Sequence, residues 1–407
     1  KGGGQLDFYK ISIKEKKDGP TAIYPDWTVG RSKDLMVRGR SFYAVWDEEK
    51  NLWSTVEYDV QRLVDKDLFD YAREHYGKAG IPFEVKTLQS FNTSVWTSFR
   101  KYMQNVSDNS HPLDENLIFA NTEVKKSDYV SKRLSYSLEP GTTDAWDELA
   151  NVLYSPEELA KIEWAIGAIV SGDSKKIQKF LVFYGPAGSG KSTILNIIHR
   201  LFDGYVATFD AKALGNGNAS FSTEVFKSNP LVAIQHDGDL SRIDDNTRLN
   251  SIVSHEEMTM NEKYKPSYTA RVNAFLFMGT NQPVKISDAK SGIIRRLIDV
   301  HPTGQHVEHD RYHTLMKQID FELGAIAHKC LKVYQKMGKN YYSSYRPLEM
   351  MLQTDVFYNF VEAHFDLFKA QNGVTLKQAY ILYKEFGVDT GLDKLLPQYK
   401  FREELRN

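Results

Sequence analysis

The chain has 407 residues, more than one core of about 150 residues holds, so two or three domains are expected. Its composition, 41% apolar, 13% aromatic and 26% charged, excludes pervasive disorder, and no apolar run approaches the roughly 20 residues of a membrane-spanning helix. The 52 Lys and Arg nearly cancel the 53 Asp and Glu, so a nucleic-acid partner has to be held by a local patch or a ring of subunits; the single cysteine, Cys330, excludes an internal disulfide framework and a thiolate metal cluster and fits a reducing compartment.

The chain opens on Lys1 and three glycines, which reads as a start inside a longer protein or as an added N-terminal remnant. Phe42 to Trp46 and Leu52 to Tyr58 are rich in β-branched and aromatic residues around the polar turn Asp47 to Asn51, which predicts a β-hairpin. Leu63, Val64, Leu68 and Tyr71 then recur at helical spacing within Val60 to Tyr76, and Ser94 to Tyr102 reads as a second helix. A small α+β domain over 1–140 follows from these elements. Tyr43, Trp46 and Trp53 could stack bases, but aromatics on a half-buried hairpin are assigned to the core. Pro140 to Asp144 gathers turn residues and marks a boundary. Ser155, Pro156 and Glu158 predict a capping box ahead of the apolar stripe Leu159, Ile162, Ile166 and Ile169.

Phe180 to Tyr184 is a continuous apolar run of the kind expected for a parallel strand buried on both faces. It is followed by Gly185-Pro186-Ala187-Gly188-Ser189-Gly190-Lys191-Ser192-Thr193 and an apolar-periodic helix, a full GxxxxGK[ST] phosphate loop in strand-loop-helix context. The glycines let successive N–H groups turn toward phosphates, Lys191 reaches the β- and γ-phosphates, and Ser192 offers a hydroxyl to magnesium. A second strand, Leu231 to Ile234, leads through Gln235 and His236 to Asp237, the candidate for the metal side; Asp239 stays open as the alternative. A third, Ala274 to Met278, leads to Asn281, whose amide can both donate to and accept from an attacking water and a γ-phosphate. Arg296, or its neighbour Arg295, is a candidate for a guanidinium supplied across a subunit boundary.

Phosphate loop, strand-end Asp, strand-end Asn and downstream Arg, in this order within about 110 residues, resemble the superfamily 3 helicases, most of all their phage and poxvirus primase-helicase branch. The resemblance implies an α/β fold: an AAA+-like P-loop ATPase core with a parallel sheet over 141–335. A small α+β collar precedes it, and a helical, winged-helix-like module follows over 336–407, where Thr375 and Gln378 form a second capping box. It implies ATP and magnesium as cofactors and a homo-oligomeric ring, a hexamer, around single-stranded DNA. A primase domain upstream in the parent chain and a host-cell cytoplasmic location, with no membrane partner, also follow. Between the second and third motifs, Asn261 to Arg271 reads as a basic hairpin; by resemblance its turn residues Lys263, Tyr264 and Lys265 grip the DNA backbone. The rival reading is an initiator or loader ATPase that opens or loads DNA without sustained unwinding.

Overall fold

In the computed structural model, the described residues are 6–27, 32–86, 93–212, 224–238, 247–260, 267–282, 292–347, 360–361, 364–370, 374–389 and 395–406. The chain divides into two compact units, Lys1–Ile118 with Thr122–Arg133, and Phe119–Asn121 with Leu134–Asn407. Among the described residues no helix is long and apolar enough to cross a membrane.

The first unit carries two small sheets. In one, β1 (Lys10–Lys14) runs antiparallel to β2 (Thr21–Asp26), and β6 (Phe83–Val85) lies parallel on the other side of β2. The other is a meander of β3 (Leu35–Arg38), β4 (Ser41–Asp47) and β5 (Leu52–Ser54). The hairpin expected around Asp47 to Asn51 is therefore β4 and β5, but its second strand is shorter than Leu52 to Tyr58. The Ser54 hydroxyl bonds Asp59 at 2.5 Å and accepts the Val56 N–H at 3.1 Å, which turns the chain out of the ladder and into helix α1 (Glu57–Ala72). Val60, Val64, Leu68 and Ala72 form the buried stripe of α1, while Leu63 and Tyr71 are only half-buried; a π-helical turn, Arg73–Gly77, ends it. Helix α2 (Thr93–Asn105) adds Phe99 and Met103 to the same core. Trp46 and Trp53 are buried with Met36, Ala44 and Leu113, and Trp53 donates its indole N–H to the Lys126 carbonyl at 2.9 Å, so these rings are core.

The second unit is mixed α/β, built on a five-stranded parallel sheet. Helices α3 (Asp144–Leu153) and α4 (Pro156–Ser171) lead into β7 (Phe180–Tyr184), α5 (Lys191–Leu201), β8 (Val206–Thr208) and β9 (Val232–Gln235). Then come α6 (Thr247–Val253), the antiparallel pair β10 (Glu257–Met260) and β11 (Tyr268–Arg271), β12 (Phe275–Thr280), the short α7 (Ile293–Arg296) and β13 (Leu297–Val300). The sheet order is β13-β7-β12-β9-β8. Phe180, Leu181, Val182 and Phe183 are fully buried, which is why β7 reads as an unbroken apolar run; each such side chain contributes about 1.5–3 kcal/mol of transfer free energy.

The long helix α8 (His309–Met337) packs on α3 and α4. Gly167 permits the close approach: a Cβ there would lie 2.0 Å from the Cys330 carbonyl oxygen of α8. Glu322 of α8 accepts the Ala145 and Trp146 N–H groups at 3.1 and 3.2 Å, capping α3 from a distance. Ser155 caps α4 through the Glu158 N–H at 3.5 Å, but the reciprocal half of the expected capping box is replaced. The Glu158 carboxylate instead accepts from Lys161 at 3.0 Å and from the His301 N–H at 3.0 Å. Helices α9 (Phe365–Ala370), α10 (Leu376–Asp389) and α11 (Gln398–Arg406) follow, with Phe360, Tyr383, Phe386 and Phe401 in their core. The Thr375 and Gln378 pair makes both capping bonds, each at 3.2 Å.

Candidate active site

Three loops leave the carboxyl ends of the neighbouring strands β7, β12 and β9, the edge at which open α/β sheets bind their ligands. Between them and α3 and α8 lies a cleft of 310 Å³, lined by Ala187 to Thr193, His236, Asp237 and Asn281.

The glycine-rich loop needs its glycines for stereochemistry. Gly188 and Gly190 have φ of +75° and +96°, in the left-handed region, and a Cβ on Gly190 would stand 3.0 Å from a Leu153 methyl. Ser189 ties the loop by donating its hydroxyl to the Pro186 carbonyl at 2.6 Å. The N-terminus of α5 has no side-chain cap, so its first N–H groups and the positive end of its dipole face the cleft.

Lys191 is buried, 7% exposed, and its ammonium donates to the Gly185 carbonyl, to the Pro186 carbonyl at 3.1 Å and to Asn281 Oδ1 at 2.5 Å. Burial pushes this amine below the ordinary lysine value, against the opposing charge of Asp237. Asn281 follows β12 directly, in a turn fixed by Thr280, whose Oγ1 accepts the Gln282 N–H at 3.0 Å. A link 90 residues long in sequence thus joins the glycine-rich loop to the tip of β12.

Asp237 is exposed on the cleft wall. The residue that ends β9, Gln235, is engaged elsewhere: its Oε1 accepts the Ala211 N–H at 3.0 Å and its Nε2 donates to Asp210 at 3.2 Å. Asp237 sits two positions beyond the strand. His236 lines the cleft half-buried, its imidazole pushed down by burial and by His199 nearby. Asp239, the alternative carboxylate, lies outside the described residues, and so do Lys263, Tyr264 and Lys265; the strands that bracket those three, β10 and β11, pair in the register Glu257 to Arg271 and Met260 to Tyr268.

Among the described residues of the second unit, the cleft also has a wall that sequence reasoning missed: Leu149 and Leu153 of α3, His306, Val307, and Tyr312 of α8. Tyr312 OH stands 3.3 Å from Thr193 Oγ1. In sequence these leucines are indistinguishable from core positions of an amphipathic helix, and only the packing of α3 beside the loop sets them apart.

Arg295 and Arg296 are not part of this cleft. They precede β13, whose Leu297 pairs with Phe180 at the amino end of β7, the end opposite the glycine-rich loop. Arg296 donates from Nε to Ser254 Oγ at 2.9 Å and from Nη1 to the Gly292 carbonyl at 3.0 Å; the Arg295 guanidinium lies 5.1 Å from the centre of the Phe365 ring.

Residues 183–296 match the model of a family of unknown function, DUF5906. Among solved structures, the chain is similar to the apo structure of the NrS-1 C terminal region (305-718), with 12% identity and a TM-score of 0.39 over 62% of this chain and 64% of that one. It is also similar to the A form apo structure of the NrS-1 C terminal region-CTR, with 11% identity and a TM-score of 0.38 over the same shares. The chain thus spans about two thirds or less of the solved chains it matches, 64% of each.

Proposed function

We propose that this chain is the motor of an ATP-dependent replicative DNA helicase of the superfamily 3, phage and poxvirus primase-helicase type. One observation carries the reading: the glycine-rich loop, Asp237 and Asn281 meet around one cleft at the carboxyl edge of a parallel sheet, with Lys191 bonded to Asn281. The loop N–H groups and the uncapped α5 terminus cradle the phosphates of ATP. Lys191 exchanges its carbonyl partners for the γ-phosphate, and the Asn281 amide, released from Lys191, positions the attacking water. Leu149, Leu153, Val307 and Tyr312 supply the apolar wall for the nucleoside.

Among the described residues there is no group of three or more His, Cys, Asp or Glu that could cage a metal. A magnesium site does not require one, because that ion is held by one or two protein oxygens together with substrate phosphates and water. Ser192 and Asp237 both line the cleft and are the residues to hold it; the ion would supply charge neutralisation on the phosphate oxygens.

The distance along β7 supports a trans role for Arg296, with Arg295 as its alternate. Five strand residues span roughly 16 Å, too far for an arginine at the amino end of the neighbouring strand to serve its own loop. A second copy in a ring, a hexamer by resemblance, brings it to the phosphates. Lys263, Tyr264 and Lys265 then grip single-stranded DNA, the first unit acts as the collar, and the C-terminal helices form the winged-helix-like module. A parent chain with an upstream primase and a place in the cytoplasm of a phage host complete the proposal.

The test is mass by light scattering with Mg-ATP, alongside strand separation on a forked duplex. A ring mass with ATP-dependent unwinding supports the motor. A ring that hydrolyses ATP without separating strands favours the loader, and a monomer that hydrolyses ATP overturns the shared site.

A further inference from the structure

Ser254 and His255, between α6 and β10, are buried, each 8% exposed, and lie outside the nucleotide cleft. His255 has φ of +56°, in the left-handed region that a residue with a side chain enters at a cost and keeps where its contacts hold it there. Both ring nitrogens are held. Nδ1 stands 2.9 Å from the Val272 carbonyl oxygen and Nε2 stands 2.8 Å from the Ile177 carbonyl oxygen. Val272 directly follows β11, and Glu257 pairs with Arg271 one step further in, so the imidazole closes the base of the β10–β11 hairpin. Ile177 comes three residues ahead of β7. The same ring therefore pins the hairpin base to the amino end of the strand that leads into the glycine-rich loop.

The neighbouring hydroxyl serves α7. Ser254 Oγ accepts from Arg296 Nε at 2.9 Å, and Arg296 also donates from Nη1 to the Gly292 carbonyl at 3.0 Å. Lys179, in the same entry to β7 as Ile177, donates to the Arg295 carbonyl, so α7 and the hairpin base share one footing. Two adjacent residues thus hold the strands that bracket Lys263 and Lys265 and, one position away in the chain, the guanidinium of Arg296. A displacement of the hairpin base moves this dipeptide, and with it the acceptor of a charge-assisted hydrogen bond from Arg296.

We propose that Ser254 and His255 are positioning residues that couple the β10–β11 hairpin to Arg296, so that single-stranded DNA held at the hairpin sets the guanidinium for hydrolysis. The inference rests on the DNA-motor reading and adds to it the route by which DNA regulates turnover. The ring fixes the hairpin base; the hydroxyl carries its position to the arginine.

The experiment uses the full chain with Mg-ATP and oligothymidylate. Ser254→Ala should bring turnover with oligothymidylate down to the level without it, while KM for ATP and the affinity for oligothymidylate hold, because Ser254 lines no part of the cleft. Ser254→Thr, which keeps the hydroxyl, should retain the stimulation. Lys263→Ala with Lys265→Ala should also remove it, and adding Ser254→Ala to that pair should cost nothing more, because both changes break one route. Stimulation that survives in Ser254→Ala, or losses that multiply in the combined variant, overturns the coupling. Hydrogen exchange gives a readout that does not need turnover. Exchange of the stretch 292–300 should change when oligothymidylate binds the native chain and should not respond in Ser254→Ala or His255→Gln; if His255→Gln unfolds, Ser254→Ala decides. Oligothymidylate that binds the native chain and leaves this stretch unchanged overturns the junction alone. A native chain that binds no oligothymidylate removes the DNA-motor reading, and the junction's role with it.

Discussion

Replacing Arg296 with Ala separates nucleotide binding from hydrolysis if the guanidinium acts across a subunit boundary. Arg296 lies beside the amino end of β7, one strand length of roughly 16 Å from the loop at its carboxyl end, so its removal leaves Lys191, Ser192, Asp237 and Asn281 in place. ATP affinity should hold, while turnover falls by about 10³ to 10⁵, the range for arginine fingers. A Lys191→Ala chain is inactive for the opposite reason and still has its arginine. In a ring each boundary takes its loop from one copy and its arginine from the next, so a one-to-one mixture gives about one quarter of boundaries with both intact, whatever the ring size. If boundaries act independently, ATPase should return to about a quarter of the native rate per chain, against the single variants' near-zero rates. Fluorescence transfer between differently labelled variants verifies that they share rings. Co-assembly with activity no higher than either variant alone would refute the trans site for Arg296, and the same mixture with Arg295→Ala then decides whether its neighbour serves instead.

Gly167→Ala puts a methyl 2.0 Å from the Cys330 carbonyl and should destabilise the second unit by about 3 kcal/mol or more, read as a denaturation midpoint shift; a shift under about 1 kcal/mol would mean that α4 and α8 separate freely. Lys179 has an amine lowered to about 8 from the ordinary 10.5, so between those values the folded chain holds fewer protons than the unfolded one and stability should rise with pH. The native chain should therefore gain roughly 3 kcal/mol on the Lys179→Met variant from pH 8 to 10.5, and a difference that stays flat would show that Lys179 is not desolvated among cations. Lys263→Ala with Lys265→Ala should weaken single-stranded DNA binding for all sequences and lower the salt slope by roughly 0.7 per lost phosphate contact, with basal ATPase intact; an unchanged slope would assign both lysines to solvent.

What could be read in the sequence was local. The glycine-rich loop is legible because strand, turn and helix are contiguous and because Gly188 and Gly190 occupy a backbone region that other residues avoid. The candidate strand-end carboxylate is harder: Gln235 ends β9 and bonds Ala211 and Asp210, 24 and 25 residues away, while Asp237, two positions on, lines the cleft. Glu158 was expected to complete a capping box and is drawn off by Lys161 and by His301, which is 143 residues distant. The apolar wall of the cleft is assembled from segments far apart in the chain, Leu149 with Tyr312. No periodicity or spacing marks such sets; they exist only once the strands are ordered and α8 is packed.

Steady-state ATP hydrolysis with magnesium, measured with and without single-stranded DNA on the native chain and on Lys191→Ala, tests the proposed motor most directly. Lys191 bonds the Gly185 and Pro186 carbonyls and Asn281, so the thermal midpoint of Lys191→Ala is measured first and turnover is compared on the folded variant. The expected result is turnover by the native chain that rises on addition of single-stranded DNA, and none by the variant at either condition. Turnover that survives in folded Lys191→Ala, or native turnover indifferent to single-stranded DNA, would contradict a DNA-driven ATPase at this cleft.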